Sequence, residues 1–334
     1  MPRLRFDRDG IEVERGLLWL DATRPKPLGV ITHAHGDHVA RHRAAICTNP
    51  TAALVRLRAG PGTEFLTLRF GEATTVGDLQ VTLLPAGHIL GSAMVRLDGP
   101  GGVSLLYYGE VKLEGGLTSP PAEPQKVDVL VTEATFGKPG LDLPEPEQAR
   151  ADLVDFARST IEEGHTPVLL AYALGKAQEV LSALCGAGIP VRVHGTAWNL
   201  CRLYRDHGIR FPGARRLSRS EAPRRDAAIV VPPRFRNAPE IRACAPLRVA
   251  AVTGWSRRVL GDGIETVIPL SDHSDFSGLI RLVERCSPSK VHVVHGYAQE
   301  FAAALRERGF DAEAVPGHSG PPEDGSAPGM FAPR

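Results

Sequence analysis

Apolar residues in the first 150 positions fall in short runs closed by Gly, Pro or Asp, a pattern that predicts strands rather than helices. Predicted strands cover 17–20, 29–32, 79–85, 93–97, 103–108 and 127–132, with one helix over 51–59. From Glu147 the period changes. Ala149, Leu153, Phe156, Ala157 and Ile161 recur at helical spacing and stop at Gly164. A buried run at 167–171 follows, then a helix carrying Ala177, Val180, Leu181 and Leu184 on one face. A second run at 190–194 leads into a helix through Trp198, Leu200 and Leu203. Strand and helix alternating at this spacing predict a parallel sheet. The stretch 209–250 is rich in Arg and Pro and holds one clear strand, 227–231. Near Val267 the earlier character returns, with strand 267–270, helix 276–286, strand 291–295 and helix 299–308.

This order predicts an α/β chain in which one domain is interrupted by another. The expected division is 1–150 for the first part, 151–258 for the insert and 259–316 for the second part, with a Gly/Pro/Ser-rich tail at 317–334 expected to be disordered. No stretch approaches eighteen uninterrupted apolar residues, and the charged N-terminus has no apolar core of the signal-peptide kind. Five cysteines, Cys47, Cys185, Cys201, Cys244 and Cys286, are odd in number and unpaired at metal spacing. They argue for a reducing compartment, so a soluble cytoplasmic protein is expected.

With 334 residues and a hydrophobic content of 43%, the chain suffices for one large domain or two ordinary ones. The formal net charge of +1 does not by itself indicate a polyanionic partner, but its distribution does. Between Cys201 and Arg258 stand fourteen arginines, no lysine and four acidic residues. Clustered guanidinium groups suit phosphate, because each fork can meet two oxygens.

The chemistry concentrates in HAHGDH at 33–38, where His33, His35, Asp37 and His38 follow an apolar run at the expected end of a buried strand. Imidazole and carboxylate without thiolate are the donors of catalytic zinc, and a turn at a strand end lets them fan around a pair of cations. A pair needs more ligands. His88 lies past a strand between Gly87 and Gly91, and Glu110 lies at the end of 105–110, where its two oxygens could serve both ions. His295 closes VHVVH at 291–295, while His292, at an odd offset, falls on the opposite face.

Taken together these motifs resemble the metallo-β-lactamase superfamily and, within it, the β-CASP nucleases. WLDA at 19–22 occupies the place of the first motif through Asp21, HAHGDH is the second, Gly87-His88 the third and Gly109-Glu110 the fourth. TEATFG at 132–137, LSDHSD at 270–275 and VHG at 294–296 resemble motifs A, B and C, and YALGKAQE at 172–179 resembles the inserted domain. The chain is most similar to the bacterial DNA-ligase-associated exonucleases, which also resemble messenger-RNA 3′-end-processing factors. The resemblance implies an αββα sandwich with an inserted β-CASP domain containing a parallel sheet. It also implies two divalent cations, zinc first and manganese second. One would be held by His33, His35 and His88, the other by Asp37, His38 and His295, with Glu110 shared. The family usually carries Asp where Glu110 stands.

The implied activity is hydrolysis of nucleic-acid phosphodiester bonds by a two-metal-activated water. Asp37 and His273 would be catalytic, with His273 donating a proton to the departing oxygen and Glu133 orienting it. Asp21 would sit behind a ligand histidine rather than bind metal. Lys176 and Gln178, at a strand-to-helix turn after Gly175, are candidate phosphate-binding residues. Tyr172 and Trp255 are weaker candidates for base stacking, and the arginines for one wall of a nucleic-acid cleft. The expected partners are DNA or RNA and an ATP-dependent DNA ligase with its repair proteins. The leading expectation is a DNA exonuclease in ligase-associated repair. An RNA-processing nuclease and a non-catalytic nucleic-acid-binding scaffold are the alternatives.

Overall fold

A computed structural model describes residues 3–7, 9–218, 226–255 and 263–317. These divide into two compact units, one formed by the chain up to Asp142 together with the chain from His273, the other by 143–272. Two sheets make the first unit. Six strands, Leu4–Asp7, Gly10–Val13, Leu18–Leu20, Leu28–Val30, Ala44–Thr48 and Glu64–Leu68, lie side by side in chain order. The first three are antiparallel and the rest parallel. The second sheet begins as an antiparallel meander of Ala73–Val76, Leu79–Pro85, Ala93–Asp98 and Ser104–Tyr107. It continues in parallel through Val129–Glu133, Lys290–Val294 and Ala312–Ala314.

The alternation of side chains along each strand decides what each face meets. Leu105, Tyr107, Val129 and Val131 join Ile11, Val13, Leu20, Val30 and Ile46 from the first sheet in one core between the sheets. Leu106, Tyr108, Leu130 and Val293 point the other way, onto helices Phe276–Cys286 and Ala298–Glu307. The first of these helices starts where the Asp275 carboxylate accepts from the Gly278 amide at 2.7 Å, and it stops at Ser287 in the left-handed region. Helix Asn49–Ala59 packs on strands Ala44–Thr48 and Glu64–Leu68. The layers therefore run helix, sheet, sheet, helix. Each fully buried Leu or Val contributes about 1.5–3 kcal/mol. That apolar core is what lets one loop edge carry buried polar groups.

What positions the candidate chemistry is strand direction. His33, Glu110, Glu133 and His295 all lie at or just beyond the carboxyl ends of parallel strands, and His88 follows a strand running the same way. Strand Val129–Glu133 is in register with Lys290–Val294, so Glu133 stands opposite Val294, one residue before His295.

The second unit is a six-stranded, all-parallel sheet in the order Ala214–Arg216, Val191–Val193, Ala228–Val231, Thr166–Leu170, Leu247–Val252, Thr266–Ile268. Val168, Leu170, Ile229, Val231, Ile241, Ala251 and Ile264 form its core. The unit extends past the limits of 151 and 258 expected from the sequence. Helix Pro146–Glu162 starts earlier, and Thr266–Ile268, expected in the second part of the outer domain, pairs with Leu247–Val252 instead. A three-residue apolar run does not encode which sheet it joins; its ladder partner decides. Leu247–Val252 also went unpredicted, because Arg248 interrupts its apolar run. Of the tail expected at 317–334, all but Gly317 lies outside the described residues. Among the described residues, no helix is long and apolar enough to cross a membrane.

Candidate metal centre

Strand Leu28–Val30 delivers Thr32 and the HAHGDH loop, which closes with a single 3-10 turn, Gly36–His38. Behind the loop stands Asp21, buried and in the left-handed region at φ 44°. Its carboxylate accepts from the Thr32 amide at 2.8 Å, the Thr32 hydroxyl at 2.7 Å and the Tyr107 hydroxyl at 3.0 Å. His38 Nδ1 lies 2.9 Å from the same carboxylate. The Thr32 hydroxyl proton is committed to Asp21, so its oxygen accepts from His33 Nδ1 at 2.9 Å. Both rings thus turn Nε2 toward the centre, the nitrogen a metal would take. Burial, the largest influence on both rings, opposes charge. It prevails at His33, whose pKa falls well below the ordinary value, with His38 adding to the effect. At His38 the Asp21 carboxylate overcomes burial and the pKa rises well above it.

Glu110 occupies the middle of these nitrogens. Its Oε2 lies 2.7 Å from His88 Nε2, 3.0 Å from His33 Nε2 and 3.3 Å from His35 Nδ1. The other oxygen, Oε1, lies 3.5 Å from His38 Nε2. Burial raises the carboxyl pKa, but His88, His273 and His33 outweigh it and hold the group well below the carboxylate range. The donor atoms of His33, His35, His88 and Glu110 all lie within 4.8 Å of one another, as do those of Asp37, His38 and Glu110. Glu110 is common to both groups. The extra methylene, relative to the aspartate usual in the resembling family, is accommodated with one oxygen toward each group.

These donors fit a divalent cation. With zinc–nitrogen bonds of 2.0–2.1 Å, the edge of a coordination tetrahedron is about 3.3–3.4 Å. His35 Nδ1 lies 3.1 Å from both His33 Nε2 and His88 Nε2, close to that edge. Uncompensated lone pairs at such distances would repel. A shared cation gives the arrangement its reason.

His88 depends on local backbone. Gly87 has φ 79°, and a Cβ there would stand 1.9 Å from the Lys112 carbonyl oxygen. The Ser92 hydroxyl accepts from the His88 amide at 3.1 Å and fixes the turn from the other side. Gly87→Ala is therefore expected to lower both the melting temperature and the bound-metal stoichiometry, the latter measured by elemental analysis. Unchanged metal content would show that the loop adapts.

Alongside the donors, His273 Nδ1 lies 3.1 Å from Glu133 Oε1, and its Nε2 faces the centre 3.9 Å from Glu110 Oε2. Glu133 is buried at the end of its strand and also accepts from the Val111 and Thr135 amides, each at 3.0 Å. Burial pushes the Glu133 pKa up, yet His273 and the Thr135 bond bring it below the ordinary value. The carboxylate is thus ionised and rigid behind the imidazole. His295 is left-handed at φ 58°, with its ring 6.1 Å from that of His38. The structure brings it beside the second donor group without placing its donor atoms inside that group. His292, on the opposite face, pairs with Glu313 at 3.0 Å.

Two residues expected to bind phosphate do not face outward. The Lys176 side chain is buried, with Nζ donating to the Leu270 carbonyl at 2.7 Å and paired with Asp272 at 3.0 Å. Gln178 is fully buried, accepts from the Gly175 amide at 2.8 Å and donates to the Ala173 carbonyl at 3.0 Å. It caps the helix Lys176–Gly186 and has no surface to offer a ligand. Tyr172 and Trp255 pack against the core of the second unit. Sequence reasoning missed Thr32, Tyr107 and Ser92 as supports, together with Arg58, which donates from helix Asn49–Ala59 to the Ala34 carbonyl. Tyr107 reaches Asp21 across 86 residues of chain, and no local pattern announces such a contact.

A two-sheet sandwich with helices outside, and a histidine–carboxylate centre at the carboxyl ends of its strands, defines the metallo-hydrolase class. Residues 258–316 match the family described as "Zn-dependent metallo-hydrolase RNA specificity domain". The chain is 37% identical over 301 residues to a "Probable DNA ligase" of Opitutus terrae, covering 89% of this chain and 29% of that one. It is 32% identical over 134 residues to "RNase aCSPSF2" of Saccharolobus solfataricus, covering 39% of this chain and 27% of that one. It thus spans under a third of the length of either relative. A crystal structure of a protein of unknown function from Enterococcus faecalis shares the fold, with a TM-score of 0.59 at 14% identity over 87% of this chain and 80% of the other. These matches support the resemblance to the metallo-β-lactamase superfamily and its β-CASP nucleases that the sequence motifs carry.

Proposed function

We propose that this chain is a metal-dependent nuclease that hydrolyses phosphodiester bonds, acting as a DNA exonuclease in ligase-associated repair in the cytoplasm. The observation that carries the reading is Glu110, with one oxygen toward the His33–His35–His88 group and the other toward His38. A carboxylate so placed would offer one oxygen to a cation on each side. When bound, two divalent cations, zinc by the donor set, supply Lewis-acid polarisation of water and phosphate. The protein's own groups do the rest. Asp21 and Thr32 keep His38 and His33 in the tautomers that present Nε2. Asp37, exposed at the rim, belongs to the second group with His38 and Glu110, and His295 stands beside His38. His273, protonated at Nε2 and held at Nδ1 by Glu133, donates to the departing sugar oxygen. The alignment with the "Probable DNA ligase" supports DNA and a ligase as the setting.

A second reading, an RNA-processing nuclease, is favoured by the match to an RNA specificity domain and by the likeness to "RNase aCSPSF2". End-labelled single strands of DNA and RNA of one sequence, incubated in parallel with zinc, with manganese and with chelator, separate the readings. Progressive loss of DNA from one end, abolished by chelator, is the expected result. Preferential cutting of RNA would give the second reading precedence. Binding without cleavage under every metal would sink both and leave a scaffold.

A further inference from the structure

We propose that Arg58 is a phosphate-binding residue whose free guanidinium edge receives a backbone phosphate next to the bond being cut. The inference rests on the nuclease reading. Exposure defines the open side of the centre. The His33 and His88 side chains are 0% exposed and His38 is 6% exposed, whereas His35 is 24% and Asp37 77% exposed. A strand of nucleic acid therefore reaches the donors over His35 and Asp37.

Arg58 stands on that rim. It projects from the last turn of helix Asn49–Ala59, and its Nη1 donates to the carbonyl of Ala34, between His33 and His35. Its Nη2 is 3.9 Å from where a Cβ would stand at Gly36. The Asp37 carboxylate is near enough to oppose the lowering of its pKa that desolvation brings. No carboxylate among the described residues pairs with Arg58, and its remaining N–H groups have no partner among them. A guanidinium has five donors in a planar fork. Anchored through Nη1, it keeps an edge that matches a phosphate and loses little freedom on binding one. Asp37 does not compete for that edge, because its carboxylate belongs to the second donor group.

The test uses the full chain with His273→Ala, loaded with zinc, so that the oligonucleotide is bound and cut too slowly to disturb the titration. Anisotropy of a labelled single-stranded DNA and of the matching RNA is followed over a salt series, without and with Arg58→Gln or Arg58→Lys, and bound zinc is measured throughout. Arg58→Gln is expected to weaken binding about five- to tenfold and to make the log–log salt slope shallower by about 0.7, the share of one single-strand phosphate. Arg58→Lys should fall between, with zinc unchanged in both. Parental affinity and slope in Arg58→Gln, or weakening accompanied by loss of zinc, would make Arg58 only a brace for the Ala34 loop and overturn the proposal. If the parent itself fails to bind, the nuclease reading falls first, before any Arg58 variant is compared.

Discussion

Glu110→Gln is expected to leave a folded chain that binds at most one divalent cation per molecule and has lost nuclease activity by about 10³-fold or more. The amide keeps the size of the carboxylate and one acceptor oxygen, so packing is little disturbed. It removes the negative charge that four imidazole nitrogens surround at 2.7–3.5 Å, and it cannot offer an anionic oxygen to each donor group. Loss of a metal clamp worth several kcal/mol of transition-state stabilisation corresponds to about 10³-fold or more in rate. Metal stoichiometry by elemental analysis is the first readout and cleavage of an end-labelled strand the second. Two equivalents of metal retained by Glu110→Gln would remove Glu110 from the bridging role.

His273→Ala is expected to behave differently: full metal content, near-parental substrate binding, and turnover reduced about 10²–10⁴-fold, the range of a lost general acid. Its ring stands beside the donors rather than among the His33–His35–His88 group, with Nδ1 3.1 Å from Glu133 and Nε2 3.9 Å from Glu110. Glu133→Gln should reproduce part of this loss, because the amide can stabilise neither the charged imidazolium nor the proper tautomer. That variant also weakens the Val111 and Thr135 amide contacts, so its melting temperature should fall where that of His273→Ala does not. Metal loss in His273→Ala equal to that in Glu110→Gln would make His273 a ligand instead.

The two experiments probe different depths of what the sequence made legible. HAHGDH and the lone His88 after a strand could be named from residue type and position, and Glu133 and His273 through the resemblance of their motifs to a known family. Each is a short segment whose chemistry is complete within a few residues of a strand end. Lys176 misled because a Gly-Lys turn at a helix start carries the same letters whether the lysine faces solvent or pairs inward with Asp272, 96 positions away. The strand Thr266–Ile268 misled for a related reason, since its sheet is chosen by a ladder partner and not by its own three residues.

By itself the sequence determined the donor types, their order along the chain, the switch from strand-rich to alternating α/β pattern, and thereby the class of chemistry. Only the tertiary structure decided that Glu110 turns one oxygen to each donor group, that Tyr107 and Thr32 fix the ligand tautomers through Asp21, and that Arg58 stands on the open rim. The physical reason is range. A side chain's identity and its place at a strand end are local facts, set by periodicity and turns. The direction of a lone pair or a proton is fixed by partners that meet only when distant segments pack.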